Sequence, residues 1–116
     1  MPQKIHCNSD IHTKRIFIDI FGRGRGSITR AKIIRLISDS PKNTLEIAKE
    51  LDMDYKTIQH NLEVLKKYYL VNNIGKKYGM IYFSSPLFEE NLQLFFEVTN
   101  MLEIIEHQKI IRSRFK

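Results

Sequence analysis

The chain contains little cysteine and no long apolar run. Cys7 is its single cysteine, so no disulfide can form within the chain, and no Cys-x-Cys pair is present. We recognise no signal peptide, and no run of apolar residues is long enough to span a membrane. These absences predict a protein of the reducing cytoplasm.

Sequence patterns of catalysis and of metal binding are missing as well. No Ser/His/Asp order, nucleophile elbow or His-Glu-x-x-His motif occurs, and the carboxylates are scattered over predicted helix surfaces. His6, Cys7 and His12 lie close in sequence, yet no fourth metal ligand is evident, and His107 beside Glu106 is a lone histidine. We therefore predict no enzyme, no cofactor and no metal site.

Acidic residues are absent from two stretches of the chain. The formal net charge is +6, from 19 lysines and arginines against 13 acids. No acid occurs between Asp19 and Asp39, or between Glu63 and Glu89, although both stretches carry several lysines and arginines. Such a distribution favours a polyanionic partner such as nucleic acid, although ribosomal and membrane-surface proteins share it.

Residues 44–71 contain two short amphipathic helical patterns, separated by an acidic break at 52–54. Thr44 is a suitable N-cap for the first helix and Asp54 for the second. In both helices apolar residues recur every third or fourth position, and the second helix has long polar side chains on its opposite face. The pattern predicts a helix-turn-helix, although an ordinary helical hairpin with a solvated face shares it.

Alternating apolar residues follow the second helix. Two β-rich runs, 71–74 and 80–83, flank a loop that has glycine at both ends, and glycine supplies the positive φ of a tight turn. Lys76, Lys77 and Tyr78 lie at the tip of this predicted hairpin. A basic and aromatic tip directly after a helix-turn-helix indicates a contact with phosphates or with a minor groove, rather than merely solvated charge.

The segment 28–83 resembles the winged helix-turn-helix of ArsR-like and, next to them, MarR-like regulators. The resemblance rests on the strings RAKIIRLI, TLEIAKEL and DYKTIQHNLEVLKKYYLV, followed by the hairpin. It implies a regulator that binds double-stranded DNA, with recognition helix 54–69 in the major groove and wing 75–79 on the backbone or in the minor groove. The residues predicted to contact DNA are Thr44, Tyr55, Lys56, Thr57, Gln59, His60, Lys67, Lys76, Lys77, Tyr78, Arg25 and Arg30.

The segment before this domain divides into two parts. Residues 11–21 suggest a short amphipathic helix after an Asp10 cap, although isoleucine and phenylalanine also favour a strand. Glycine and arginine then alternate from Phe21 to Ser27, which predicts a linker at 23–27. The linker is not a phosphate-binding loop of the Walker type, because the Gly-Lys-Ser/Thr ending is missing.

The C-terminal segment 85–116 carries the longest helical pattern. Ser85 can cap it, Pro86 suits the first helical position, and its acidic and basic residues lie at the ends that the helix dipole favours. Its apolar face is too wide for a solvent-exposed helix, so it either pairs with a second copy of the chain, which we favour, or folds back on its own domain. The predicted dimer interface comprises Ile16, Phe17, Ile20, Phe88, Leu92, Phe95, Val98, Leu102 and Ile105.

The predicted fold class is mainly α with a small β-hairpin wing (α+β), a winged helix-turn-helix with N- and C-terminal dimerisation helices. We divide the chain into an N-terminal extension (1–22), a linker (23–27), the DNA-binding domain (28–84) and a dimerisation helix (85–116). The predicted function is a homodimeric repressor; the alternative is a winged-helix protein-interaction module of transcription machinery. Abundant isoleucine, lysine and asparagine are typical of an AT-rich genome and suggest an archaeal source.

Overall fold

The computed structural model describes residues 10–100, apart from the Tyr78 side chain. Helices dominate it, and a two-stranded antiparallel hairpin is its sheet, which confirms the predicted fold class. No helix in this range is long and apolar enough to cross a membrane. The elements are α1 (Ile11–Phe17), a π-helical turn (Ile18–Gly22), α2 (Ser27–Asp39), α3 (Thr44–Leu51), α4 (Tyr55–Lys67), β1 (Val71–Ile74), a 3₁₀ turn (Lys77–Gly79), β2 (Ile81–Ser84), α5 (Pro86–Glu89) and α6 (92–100).

The N-terminal segment is a helix and not a strand. Asp10 caps α1 as predicted, because its Oδ1 accepts the backbone N–H of Thr13 at 2.7 Å. This hydrogen bond to the ionised carboxylate lowers the pKa of Asp10 below its ordinary value. The chain then turns sharply at Gly24 and Gly26, both at positive φ, before α2 begins. The predicted break between the two helices is therefore correct.

The helix-turn-helix forms as predicted, but the cap of α3 is one residue earlier. Asn43, not Thr44, caps α3: its side chain accepts the Glu46 N–H at 2.8 Å, and the Glu46 carboxylate accepts the Asn43 N–H at 2.8 Å. This reciprocal pair is a capping box, which satisfies two amides where a threonine would satisfy one. Asp54 caps α4 through the Thr57 N–H at 3.1 Å, as predicted.

The hairpin pairs Val71 with Ser84 and Ile74 with Ile81. Gly75 lies at φ +97°, as the turn requires, and a Cβ there would lie 2.6 Å from the carbonyl oxygen of Gly79. The prediction that both loop glycines supply positive φ is wrong for Gly79, which lies within the 3₁₀ turn. The second left-handed residue of the loop is a lysine, at position 77.

An aromatic cluster joins the two ends of the described chain. Phe17, Phe21, Phe88 and Phe95 are all buried, and the Phe95 ring centroid lies 5.0 Å from those of both Phe21 and Phe88. Edge-to-face geometry between these rings is favourable because the positive edge of one ring meets the negative face of the other. This cluster extends the core beyond the helix-turn-helix, toward α1, α5 and α6.

The C-terminal helix is interrupted, contrary to the prediction of one continuous helix from residue 85. The chain makes a turn at 90–91, between α5 and α6. There the Asn91 side-chain amide donates to the Leu87 carbonyl at 2.8 Å, a local bond that competes with helix propagation. The bend allows both Phe88 and Phe95 to reach the aromatic cluster.

Most of the predicted dimer residues in the described range are buried within the single chain. This corrects the prediction for Phe17, Ile20, Phe88, Phe95 and Val98, because intramolecular packing already covers them. The alternative prediction, in which the C-terminal helix folds back on its own domain, describes these residues. Ile16 and Leu92 are partly buried against the same core, and Leu102 and Ile105 lie outside the described residues.

Candidate nucleic-acid interface

Helix α4 presents a polar face opposite its apolar stripe. Ile58, Leu62 and Leu65 are buried in the core, which confirms the predicted stripe. The opposite face is exposed and carries an aromatic ring, a cation and an imidazole, side chains that can contact base edges and phosphates. The exposed residues of the predicted recognition set on this helix are Tyr55, Lys56, Thr57, His60 and Lys67.

A cleft of about 600 Å³ lies between α3, the polar face of α4 and the hairpin. Two lysines line it, Lys66 from α4 and Lys77 from the wing, together with one carboxylate, Glu63. Tyr55 and Gln59 form part of its floor. The helix-turn-helix and the wing thus share one concave surface, where a rod-shaped polyanion would contact both.

The side-chain amide of Gln59 connects three elements at this cleft. Its Oε1 accepts the Thr44 hydroxyl at 2.9 Å, and its Nε2 donates to Glu63 Oε2 at 3.1 Å and to the Tyr82 hydroxyl at 3.3 Å. The sequence places Glu63 on the outward face of this helix, but it predicts neither the bond from Gln59 to Glu63 nor a role for Tyr82. The i to i+4 spacing of Gln59 and Glu63 was the one available signal, because such pairs adjoin on a helix.

Two of the predicted DNA contacts are buried, which corrects the prediction for both. Thr44 is 5% exposed and donates its hydroxyl to Gln59. Arg30 is 7% exposed; its Nε donates to the Ile20 carbonyl at 2.9 Å and its Nη1 to Asn61 Oδ1 at 3.1 Å. Burial lowers the pKa of Arg30, but an arginine remains a cation at neutral pH. Arg30 therefore ties the N-terminal turn to α4 inside the fold.

Of the other predicted contacts, Lys67, Lys76 and Arg25 do not line the cleft. Lys76, at the wing tip, and Arg25, in the turn before α2, are exposed. Lys67, at the end of α4, has its Nζ 5.9 Å from the ring centroid of Tyr68. Tyr78 lies in the 3₁₀ turn of the wing, and its side chain is outside the described part.

No cluster of three or more His, Cys, Asp or Glu side chains suited to a metal ion occurs among residues 10–100. His6, Cys7 and His107, which the sequence reasoning considered as ligands, lie outside that range. His12 is exposed on α1.

A comparison with curated proteins finds a partial relative. The chain is 29% identical over 108 residues to subunit 14 of the Mediator of RNA polymerase II transcription from Scheffersomyces stipitis. The match covers 93% of this chain but only 9% of that protein's length. It therefore concerns a small part of a much larger polypeptide.

Solved structures share the fold at low sequence identity. The transcriptional regulator BldR from Sulfolobus solfataricus has a TM-score of 0.60 at 19% identity, covering 89% of this chain and 86% of BldR. Reduced HlyU from Vibrio cholerae has a TM-score of 0.57 at 18% identity, covering 80% of this chain and 90% of HlyU. Residues 27–73 match the family model described as bacterial regulatory protein, arsR family. The chain thus has a winged helix-turn-helix fold, and the segment 27–73 is similar to the arsR family of regulatory proteins.

Proposed function

We propose that this protein is a transcriptional regulator that binds double-stranded DNA sequence-specifically, and not an enzyme. The observation that carries the proposal is the shared cleft, in which the polar face of α4 adjoins a lysine-bearing wing. Helix α4 lies inside the segment that matches the arsR family model. A major groove about 12 Å wide admits one helix, so α4 would enter it with Tyr55, Lys56 and His60 toward the base edges. Lys76 and Lys77 would then contact the backbone.

The proposal includes a homodimer that represses transcription in the cytoplasm, by blocking access to a promoter. Two copies of α4 related by a twofold axis would contact successive major grooves and match a palindromic site. The support is the match of residues 27–73 to the arsR family model, together with apolar side chains that the single chain leaves uncovered. Ile18, after α1, and Phe96, on α6, are exposed, and Leu92 and Phe96 line a groove of about 290 Å³.

A fluorescence-anisotropy titration of labelled random-sequence duplex, repeated over a series of salt concentrations, tests DNA binding. We expect affinity to fall steeply with salt, because each cation that neutralises a phosphate adds about −0.9 to the slope of log K against log salt. The double variant Lys76→Ala, Lys77→Ala should weaken binding to every duplex and reduce that slope by about 2 per subunit. The matched control, Lys14→Ala with Lys32→Ala, removes two exposed lysines that do not line the cleft and should change binding less.

Sequence reading is tested separately from affinity. Selection of bound duplexes from a random library should yield a palindrome, and His60→Ala should alter the preferred base at one position of each half-site. Light scattering of the purified chain measures the oligomer. The proposal fails if wild-type protein shows no salt-dependent duplex binding even at low ionic strength, and the dimer fails if the protein is monomeric on its selected site.

A second candidate function is a protein-interaction module of transcription machinery. The similarity to a part of a Mediator subunit favours it. In that case the exposed face of α4 would contact protein, and duplex binding would be weak and equal for wild type and the wing double variant. The same titration therefore separates the two functions.

A further inference from the structure

We propose that Gln59 is a positioning residue that holds the wing against α4, and that it does not read a base. This inference rests on the proposed DNA-binding function and assigns a different task to a residue on the recognition helix. It predicts that Gln59 sets the affinity for all duplexes, whereas Tyr55, Lys56 and His60 set the preference among them.

The hydrogen-bonding capacity of Gln59 is already used inside the protein. A glutamine that reads adenine needs a free N–H for N7 and a free oxygen for the N6 amino group. Both N–H groups of Gln59 have partners, Glu63 at 3.1 Å and Tyr82 at 3.3 Å, and its oxygen accepts from Thr44 at 2.9 Å. The bonds to Thr44 and Tyr82 are partly buried, whereas the bond to Glu63 is exposed to solvent. Turning the amide toward a base would break these hydrogen bonds within the protein, and the hydrogen bonds gained to adenine would be no more numerous.

The partners of Gln59 are themselves fixed in the fold. Tyr82 is 2% exposed, and its backbone pairs with Lys42 in both directions, at 2.8 and 3.2 Å. Among the described residues, Gln59 is the hydrogen-bond partner of the Tyr82 hydroxyl. Losing that bond would leave this buried hydroxyl unsatisfied. Thr44 is likewise buried, in the first turn of α3. One amide therefore joins α3, α4 and strand β2 of the wing.

This junction sets the position of the wing across the cleft. Tyr82 lies on β2, the strand that follows the wing tip, and Lys77 at the tip lines the cleft opposite α4. If the bond between Gln59 and Tyr82 is lost, the lysines of the wing are held less firmly over the backbone. Phosphate contacts carry no sequence information, so the loss should be equal for every duplex.

The test uses the full chain and compares Gln59→Ala, Tyr82→Phe and His60→Ala on a selected duplex and on its single-base-pair variants. We expect Gln59→Ala and Tyr82→Phe each to weaken binding to all duplexes by about threefold to tenfold, with the ranking of duplexes unchanged. His60→Ala should change the ranking. Tyr68→Phe is the matched control, since it removes a hydroxyl from a partly exposed tyrosine that does not line the cleft.

A double-mutant cycle distinguishes positioning from a general loss of stability. Lys77→Ala should weaken binding less in the Tyr82→Phe background than in wild type, because the wing is already loosened. Hydrogen exchange of the hairpin amides in the free protein should be faster in Tyr82→Phe, with helix amides unchanged. These amides report on the wing even if Gln59→Ala folds poorly.

Each outcome decides between the alternatives. If Gln59→Ala changes the preferred base at one position while Tyr82→Phe binds like wild type, Gln59 reads a base and the inference is wrong. Additive effects of Tyr82→Phe and Lys77→Ala would also overturn it. If wild-type protein binds no duplex at low salt, the proposed function fails and this inference fails with it.

Discussion

Replacing Phe95 by alanine should destabilise the protein strongly, whereas the same change at Phe96 should not. Phe95 is 1% exposed and packs edge-to-face on Phe21 and Phe88, with centroid distances of 5.0 Å to each, whereas Phe96 is 54% exposed. Truncating a buried phenylalanine removes its transfer free energy and leaves a cavity, together about 3–5 kcal/mol. Truncating Phe96, which is exposed on the single chain, should change the free energy of unfolding of the dilute monomer by about 0.5 kcal/mol or less.

Thermal and urea unfolding, followed by circular dichroism at several protein concentrations, measure the difference. For a chain of this size the loss at Phe95 corresponds to a fall in Tm of more than about 10 °C. Because the cluster lies within one chain, the difference between Phe95→Ala and wild type should not depend on protein concentration. A Phe95 effect that disappears on dilution would show that a second chain covers Phe95. Equal destabilisation at both positions in dilute protein would contradict the difference in burial between them.

Three further changes test other parts of the structure. Arg30→Ala leaves two buried oxygens without their donor, so urea titrations should show a fall of about 2–6 kcal/mol in the free energy of unfolding. The control Lys32→Ala, at an exposed lysine, should lower it by about 0.5 kcal/mol. Similar values for the two variants would contradict the buried hydrogen bonds of Arg30. Gly75→Ala places a Cβ against the Gly79 carbonyl of the wing turn, at a positive φ, and should weaken binding to all duplexes. The control Gly24→Ala, at φ +86° with no atom within 4 Å of the added Cβ, should add backbone strain alone and bind DNA normally. The cap of α1 should open as pH falls. The ionised carboxylate of Asp10, whose pKa is lowered by the Thr13 N–H, stabilises the folded state above about pH 4, and this stabilisation is lost on protonation below it. The protection of the first-turn amides against exchange, relative to the unstructured rate at each pH, measures this, and in Asp10→Asn that protection should not depend on pH.

The helices and the hairpin were predictable because local physics specifies them. Asp10 and Asp54 cap helices where their side chains accept a first-turn amide, and Gly75 permits the turn of the wing. The cap of α3 was misplaced by one residue because Asn43 and Thr44 are both good caps. The choice depended on Glu46, which completes the capping box only for Asn43.

The partners of the apolar faces were not predictable from periodicity. The spacing of Phe88 and Phe95 shows that a face is buried, but the same spacing results from a second chain or from the same chain. Whether the same chain covers this face depends on the turn at 90–91 and on the position of α1, both of which are tertiary features. Likewise, Arg30 was expected at the surface because arginine is rarely buried, and its two acceptors are 10 and 31 residues away.

The aromatic cluster and the polar face of α4 are connected through a chain of hydrogen bonds. Arg30 accounts for the connection, since it donates to the Ile20 carbonyl beside the cluster and to Asn61 on α4, whose amide in turn donates to the Thr57 carbonyl at 2.9 Å. The π-helical turn ends two residues after Ile20, at Gly22, where a Cβ would lie 2.8 Å from Val98 Cγ1 on α6. A shift of α6 is therefore resisted at Gly22, and a shift of the turn must stretch the bonds that hold the first turns of α4. The residues expected to meet base edges lie in those turns, so the packing at one end of the molecule helps to set their geometry at the other.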